Sequence, residues 1–181
     1  MNLYPIQRFW IYRRDVFQIC RKFKVIHGSH LKLISTIVNK RVKTDFVVQT
    51  IDGRFKISKG FGFDQLYTLN PFVEFQLSKF LASSKADLFI DVGSFMGVHA
   101  IAWSRLNPQS FVYAIEPAPL NYLKLLENIE LNEIRNVYCL NFAAGSIDSI
   151  VKFPNVVSSK LNTLENIGES EIQIKRIDDL L

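Results

Sequence analysis

The sequence predicts an α/β fold built on a parallel sheet, and three observations carry that prediction. From Leu88 onward, short apolar runs alternate with helix-like stretches, the rhythm of parallel strands joined by helical crossovers. The first run ends in a glycine turn, Asp91-Val92-Gly93-Ser94-Phe95-Met96-Gly97. The second ends in an acid, Glu116. With 181 residues, 48% of them apolar, the chain suits one domain of ordinary size preceded by an arm.

The arm comes first in the chain. Phe9, Tyr12, Val16, Ile19, Phe23 and Ile26 step by three and four, the spacing of one helix face. Arg13, Arg14, Arg21 and Lys22 fall mostly elsewhere, so the segment predicts a basic amphipathic helix ending near His27-Gly28, with a second helix over residues 31–40. Charge is asymmetric: residues 1–60 hold 13 Lys or Arg against 3 acids, and the remainder holds 9 against 14, within a net charge of +5. One reading packs the arm, residues 1–44, on the domain that follows. The other lays residues 8–26 on a membrane surface, with Phe9 and Trp10 among the headgroups and the arginines on anionic lipid. No nucleic-acid reading motif accompanies the charge, so a nucleic-acid partner is not expected.

No apolar run approaches the ~20 uncharged residues of a membrane span, and the N-terminus lacks the clean apolar centre of a secretion signal. Cys20 and Cys139 form no CxxC pair or metal pattern, which fits a reduced compartment and core positions. The expected location is cytoplasmic, at most peripheral to a membrane.

The domain is expected over residues 45–181. Residues 47–58, VVQTIDGRFKIS, predict a β-hairpin with Asp52-Gly53 as its two-residue turn. A helix is expected over Pro71 to Leu81. Strands follow at Leu88–Asp91, Phe111–Glu116 and Val137–Phe142, with helices at Val98–Arg105 and Leu120–Leu131 between them. Leu123, Leu126 and Leu131 mark one face of the longer helix. After Gly145, Ile150–Phe153 and Ile172–Ile177 predict a β-ribbon, and Asp178-Asp179-Leu180-Leu181 a helix cap with its first turn.

The glycine turn and the acid point to a ligand. Open α/β sheets bind ligands beyond the carboxyl ends of their strands. Glycines at 93 and 97 let a ligand approach the backbone, and a helix starting near Gly97 aims N–H groups at an anion. Glu116 lies 25 residues after Asp91, where a carboxylate can accept both hydroxyls of a ribose. The set describes a nucleoside-type cofactor site. GxxxG lacks the third glycine of a dinucleotide fingerprint, so a nicotinamide oxidoreductase ranks low.

FIDVGSFMGVHA, AIEPAPLNYLKLLENIELNEIRNVYCLNFAAGS and IKRIDDLL together resemble the FkbM-type S-adenosylmethionine-dependent methyltransferases. The resemblance covers about residues 45–181 and implies a Rossmann-like sheet of the class I methyltransferase type. It implies that Asp91, Gly93, Ser94 and Gly97 hold the amino-acid end of S-adenosyl-L-methionine, that Glu116 takes the ribose, and that Asn141, Phe142 and Ala143 lie beside the adenine. The implied reaction is methyl transfer from the sulfonium to a hydroxyl of a small-molecule, sugar or lipid-linked acceptor. Two positions depart from the pattern: Phe95 stands where the family has Asn, and Ala143 where many methyltransferases place an acid.

In the family, a fourth strand with an acidic D-x-E-G motif follows the D-D-L-L helix, and here the chain ends at Leu181. The expectation is therefore a fold incomplete at its C-terminus, either truncated or completed by a second chain that supplies the missing wall. No catalytic base is assigned: His99 sits on the helix after the glycine turn, and His27 with His30 lack a third metal ligand. A non-catalytic binding or interaction module of the same fold is the alternative to a methyltransferase.

Overall fold

The computed structural model describes residues 36–37, 40–59, 65–66, 68–69, 75–154 and 169–180. The helix expected over residues 9–26, with Cys20, His27 and His30, lies outside them. Of the helix expected over 31–40, only Thr36, Ile37 and Lys40 are described, and all three are helical.

Strands β1 (Phe46–Gln49) and β2 (Arg54–Ile57) form the predicted antiparallel hairpin. Its connection differs from the expected two-residue turn. Gln49 pairs with Arg54, so four residues, 50–53, make the loop. The Thr50 side chain explains it: its Oγ1 accepts from the Asp52 N–H at 3.1 Å and the Gly53 N–H at 3.2 Å. That hydroxyl organises a wider loop than Asp-Gly alone would make.

Helix α1 (Phe75–Ser83) precedes the central unit; the first residues of its expected range, 71–74, are outside the described set. β3 (Leu88–Val92), α2 (Val98–Leu106), β4 (Phe111–Ile115), α3 (Pro119–Leu131) and β5 (Val137–Leu140) then alternate as predicted. The three strands form a parallel sheet in the order β3-β4-β5. This is an α/β, Rossmann-like arrangement. β4 stops at Ile115, so Glu116 is the first residue beyond the strand.

Both helices lie on the sheet face presented by Val112 and Ala114. Ile101 and Trp103 of α2 join Leu125 and Ile129 of α3 in one core with those two residues and with Phe55 and Ile57 of β2. Phe89 of β3 stacks on Trp103 at 4.7 Å between centroids. The opposite face carries Phe111, Tyr113 and Tyr138, whose rings meet at 5.7–6.2 Å. Phe111 is 57% and Tyr138 47% exposed.

The buried side of α3 departs from the leucine stripe. Leu123 and Leu126 are exposed, and the buried residues are Asn121, Leu125, Asn128 and Ile129. The periodicity of Leu123, Leu126 and Leu131 thus marked the wrong face: the buried one carries Leu125 and Ile129, with two asparagines beside them for hydrogen bonding.

The third strand also ends earlier than predicted, at Leu140 rather than Phe142. Asn141 turns its amide back, donating to the Glu116 and Pro117 carbonyls at 2.8 and 3.1 Å. The chain then enters a separate sheet, in which β6 (Ala143–Ala144) runs parallel to β8 (Glu169–Lys175) and β7 (Ser149–Pro154) antiparallel to it. The predicted β-ribbon is the β7–β8 pair. The final turn, Ile177–Leu180, is a 3₁₀ helix.

Among the described residues, no helix is long and apolar enough to cross a membrane. Burial of Cys139 on β5 pushes its thiol up to about 11. At about pH 8 only about one thiol in a thousand is then thiolate, the reactive form. Cys139 is thus expected to resist iodoacetamide in the native protein and to react readily in urea, which mass spectrometry of the alkylated chain would read. Equal rates in both would refute its partial burial.

Candidate functional site

The turn after β3 is held at each step by its neighbours. The N–H groups of Gly93 and Ser94 both donate to the Ile115 carbonyl, at 2.8 and 3.0 Å, which ties the turn to the end of β4. Ser94 Oγ donates to the Asp91 carbonyl at 2.8 Å, and the Gly97 N–H to the Ser94 carbonyl at 2.7 Å. Asp91 is therefore at the strand end as predicted, level with Ala114 of β4. Ser94 closes the turn from inside and is itself buried.

The two glycines serve different ends. Both adopt left-handed backbone conformations, with φ 79° at Gly93 and 84° at Gly97, where a side chain is strained. A Cβ on Gly97 would stand 2.6 Å from Leu125 Cδ1, so this glycine lets α2 start directly against α3. A Cβ on Gly93 would meet nothing within 4 Å. Gly93 is thus the place where the turn's backbone faces open space at the carboxyl end of the sheet. Gly97 also caps α2, with no side-chain capping bond.

Phe95 shares the left-handed conformation at φ 51°. Asn and Asp are several-fold enriched there among residues with a side chain, and a bulky ring is an outlier. Burial holds it: the side chain is 6% exposed and belongs to the core. The backbone thus retains a shape that suits asparagine, while the ring has been turned to packing.

Glu116 is the centre of the arrangement. It is 5% exposed. Oε2 accepts from the Phe95 N–H at 2.8 Å, and Oε1 from the Ala118 N–H at 2.9 Å and Asn121 Nδ2 at 3.4 Å. The carboxylate is a strut between the glycine turn and the start of α3. A carboxylate has about four acceptor positions, so its open capacity is essentially one lone pair on Oε2, less than the pair of free oxygens the sequence suggested. Burial raises its pKa, offset in part by the three hydrogen bonds, and the nearby Asp91 charge raises it further.

The segment after β5 is less open than expected. Asn141 is exposed, but its amide is engaged with the Glu116 and Pro117 carbonyls. Phe142 is buried, with Lys175 Nζ 5.9 Å from its ring centroid, within cation–π range. Ala143 pairs with Ile174 in the second sheet. The structure thus gathers Asp91, Gly93, Ser94, Gly97 and Glu116 into one linked site, with Asn141 joined through the Glu116 backbone. Ala143 belongs to the adjoining sheet, and Phe142 leads into it. His99 lies on α2, half-buried. Among the described residues, no group of three or more His, Cys, Asp or Glu is placed to hold a metal ion.

Sequence reasoning missed Asn121 and Asn128. Asn121 donates to Glu116, and Asn128 donates through Nδ2 to the Met96 carbonyl at 2.9 Å. The available signal was two asparagines seven residues apart on one helix, a spacing that returns to the same face after two turns.

No family model matches the chain, and no curated protein matches it. Among solved structures it is similar to TYW2 from M. jannaschii in complex with AdoMet, at 24% identity and TM-score 0.44, over 55% of this chain and 43% of that one. It is similar to a precorrin-6y C5,15-methyltransferase from Geobacter metallireducens, at 21% and 0.36, over 39% and 37%. A SAM-dependent methyltransferase from Agrobacterium tumefaciens matches at 9% and 0.42, over 55% and 33%. The chain spans less than half the length of each.

Proposed function

We propose that the chain binds S-adenosyl-L-methionine at the turn of residues 93–97 and is a domain of an FkbM-type methyltransferase acting on a hydroxyl acceptor. The observation that carries this reading is the open space beside Gly93, next to Glu116 and at the carboxyl ends of two parallel strands. The donor set suits a cofactor without phosphate. One close backbone approach is available, and the first turn of α2 favours a carboxylate.

In this reading Asp91, Gly93, Ser94 and Gly97 surround the amino-acid end. Glu116 offers Oε2 to a ribose hydroxyl, and Asn121, its longest contact at 3.4 Å, is the partner a second hydroxyl would displace. Asn141 and Ala143 border the adenine. When bound, the cofactor supplies an electrophilic methyl on a sulfonium. The protein's share is alignment and exclusion of water. An acceptor hydroxyl also has to give up its proton, and that group is not assigned to a residue of this chain.

The test is titration calorimetry of the full chain with S-adenosylhomocysteine and, in parallel, with a nicotinamide dinucleotide. Micromolar binding of the first and none of the second, about 8 kcal/mol of affinity against nothing measurable, is the expected result. A folded chain that binds neither would leave the alternative, a non-catalytic interaction module; preference for the dinucleotide would replace the cofactor.

A further inference from the structure

Three successive residues of the glycine turn lean on α3 and its entry. Phe95 gives its N–H to Glu116, Met96 gives its carbonyl to Asn128, and Gly97 abuts Leu125. Asn128 is fully buried, and both ends of its amide are used. Nδ2 donates to the Met96 carbonyl at 2.9 Å, while Oδ1 accepts from the Lys56 N–H of β2 at 2.9 Å.

One helical turn on, Asn132 repeats the device. Its Oδ1 accepts from the Arg54 N–H at 2.9 Å, and its Nδ2 donates to the Arg54 carbonyl at 2.7 Å. The two amides occupy alternate backbone groups of β2, much as a neighbouring strand would. Arg54 also donates its guanidinium to the Leu131 carbonyl at the end of α3. Asn132, whose Nδ2 also donates to the Asn128 carbonyl at 2.7 Å, therefore reaches the hairpin and not the turn, whereas Asn128 holds the hairpin and the turn together.

We propose that Asn128 is a positioning residue for the turn of residues 93–97, fixing the Met96 carbonyl and with it the path of the turn, and coupling the turn to the β1–β2 hairpin. The proposal deepens the cofactor reading above and rests on it for the identity of the ligand. It does not rest on it for the geometry. An asparagine is required because one side must donate and the other accept. Aspartate, of the same shape, presents an acceptor to the Met96 carbonyl when ionised. When protonated it regains a donor and restores the pattern.

The experiment compares Asn128→Asp and Asn132→Ala with the unmodified chain. Binding of S-adenosylhomocysteine is measured at about pH 8 and about pH 5, a range in which a buried carboxyl can titrate. Amide hydrogen exchange of the peptide spanning residues 93–98 is followed in the same samples. Asn128→Asp is expected to bind at least about tenfold more weakly at the higher pH, with faster exchange in the turn, and to recover both toward the unmodified chain at the lower pH. Asn132→Ala is expected to stay within about twofold at both. Equal affinity, equal turn exchange and no pH recovery would overturn the proposal and leave Asn128 a packing residue.

Should the unmodified chain not bind S-adenosylhomocysteine, the cofactor reading fails, and the exchange rates still decide the positioning role. Asn128→Ser, which brings no charge inside, takes the place of the aspartate variant if that chain does not fold. Turn exchange no faster in Asn128→Ser than in Asn132→Ala would equally overturn the role.

Discussion

Replacement of Glu116 by alanine is expected to destabilise the folded chain by about 3 kcal/mol. The carboxylate satisfies the N–H groups of Phe95 and Ala118. Leaving a buried donor without a partner costs about 1–3 kcal/mol each, and part of the loss is recovered because an ionised group is no longer buried. Glu116→Gln keeps one acceptor and turns an NH₂ toward one of two donors, so it is expected to lose about half as much. Urea denaturation reads both. A loss below about 0.5 kcal/mol for the alanine variant, the size of an ordinary surface change, would show that these bonds do not hold the turn.

The same residue sets a pH dependence. Burial raises its pKa above the ordinary 4.5, so the folded state holds the proton more tightly than the unfolded chain does. This contribution to stability is fully present below the unfolded value and is lost as pH rises through the folded one. The deficit of Glu116→Gln relative to the unmodified chain is therefore expected to be largest near pH 4 and to shrink toward neutrality. A deficit that grows with pH would reverse the sign of the shift.

The second large effect separates the two glycines. Gly97→Ala is expected to cost about 3 kcal/mol, from ~1–2 kcal/mol of left-handed strain and ~1–3 kcal/mol of overpacking against buried Leu125. Gly93→Ala carries the strain alone, about 1 kcal/mol, because its new methyl meets nothing. Its consequence is in binding: the methyl fills the space that the cofactor reading reserves. Thermal denaturation with and without S-adenosylhomocysteine is expected to show Gly97→Ala melting far lower and Gly93→Ala melting near normally without ligand stabilisation. Stabilisation of Gly93→Ala equal to that of the unmodified chain would contradict the placement of the ligand.

The alternation of strands and helices from Leu88 to Leu140 was legible because each strand is a short apolar run that must be covered on at least one face. Element ends fell within one or two residues. The reading erred where a side chain bonded to distant backbone. Leu123 and Leu126 look like a core stripe, yet Asn121 and Asn128 are buried because their partners are Glu116 and the backbones of Met96 and Lys56. Nothing in the local pattern of a helix announces a donor on a strand 72 residues earlier. Thr50 widened the hairpin loop by a local bond instead, its hydroxyl accepting from backbone N–H groups two and three residues on. Glu116 was placed correctly at the strand end, but its internal hydrogen bonds were invisible, since they depend on a turn bringing Phe95 back over it. The left-handed backbone at Phe95 was not legible; the sequence offered only a Phe where the resembled family has Asn.

The docking of the hairpin on α3 bears on how the chain is made. Arg54 and Lys56 wait for Asn132 and Asn128, which follow 78 and 72 residues later. At ~5–20 residues per second of synthesis, the hairpin emerges roughly 4–15 seconds before its partner helix exists. Phe55 and Ile57, both fully enclosed at the end, lack the cover of α3 throughout that interval. The hairpin is thus made early and reaches its seat on α3 only once that helix exists.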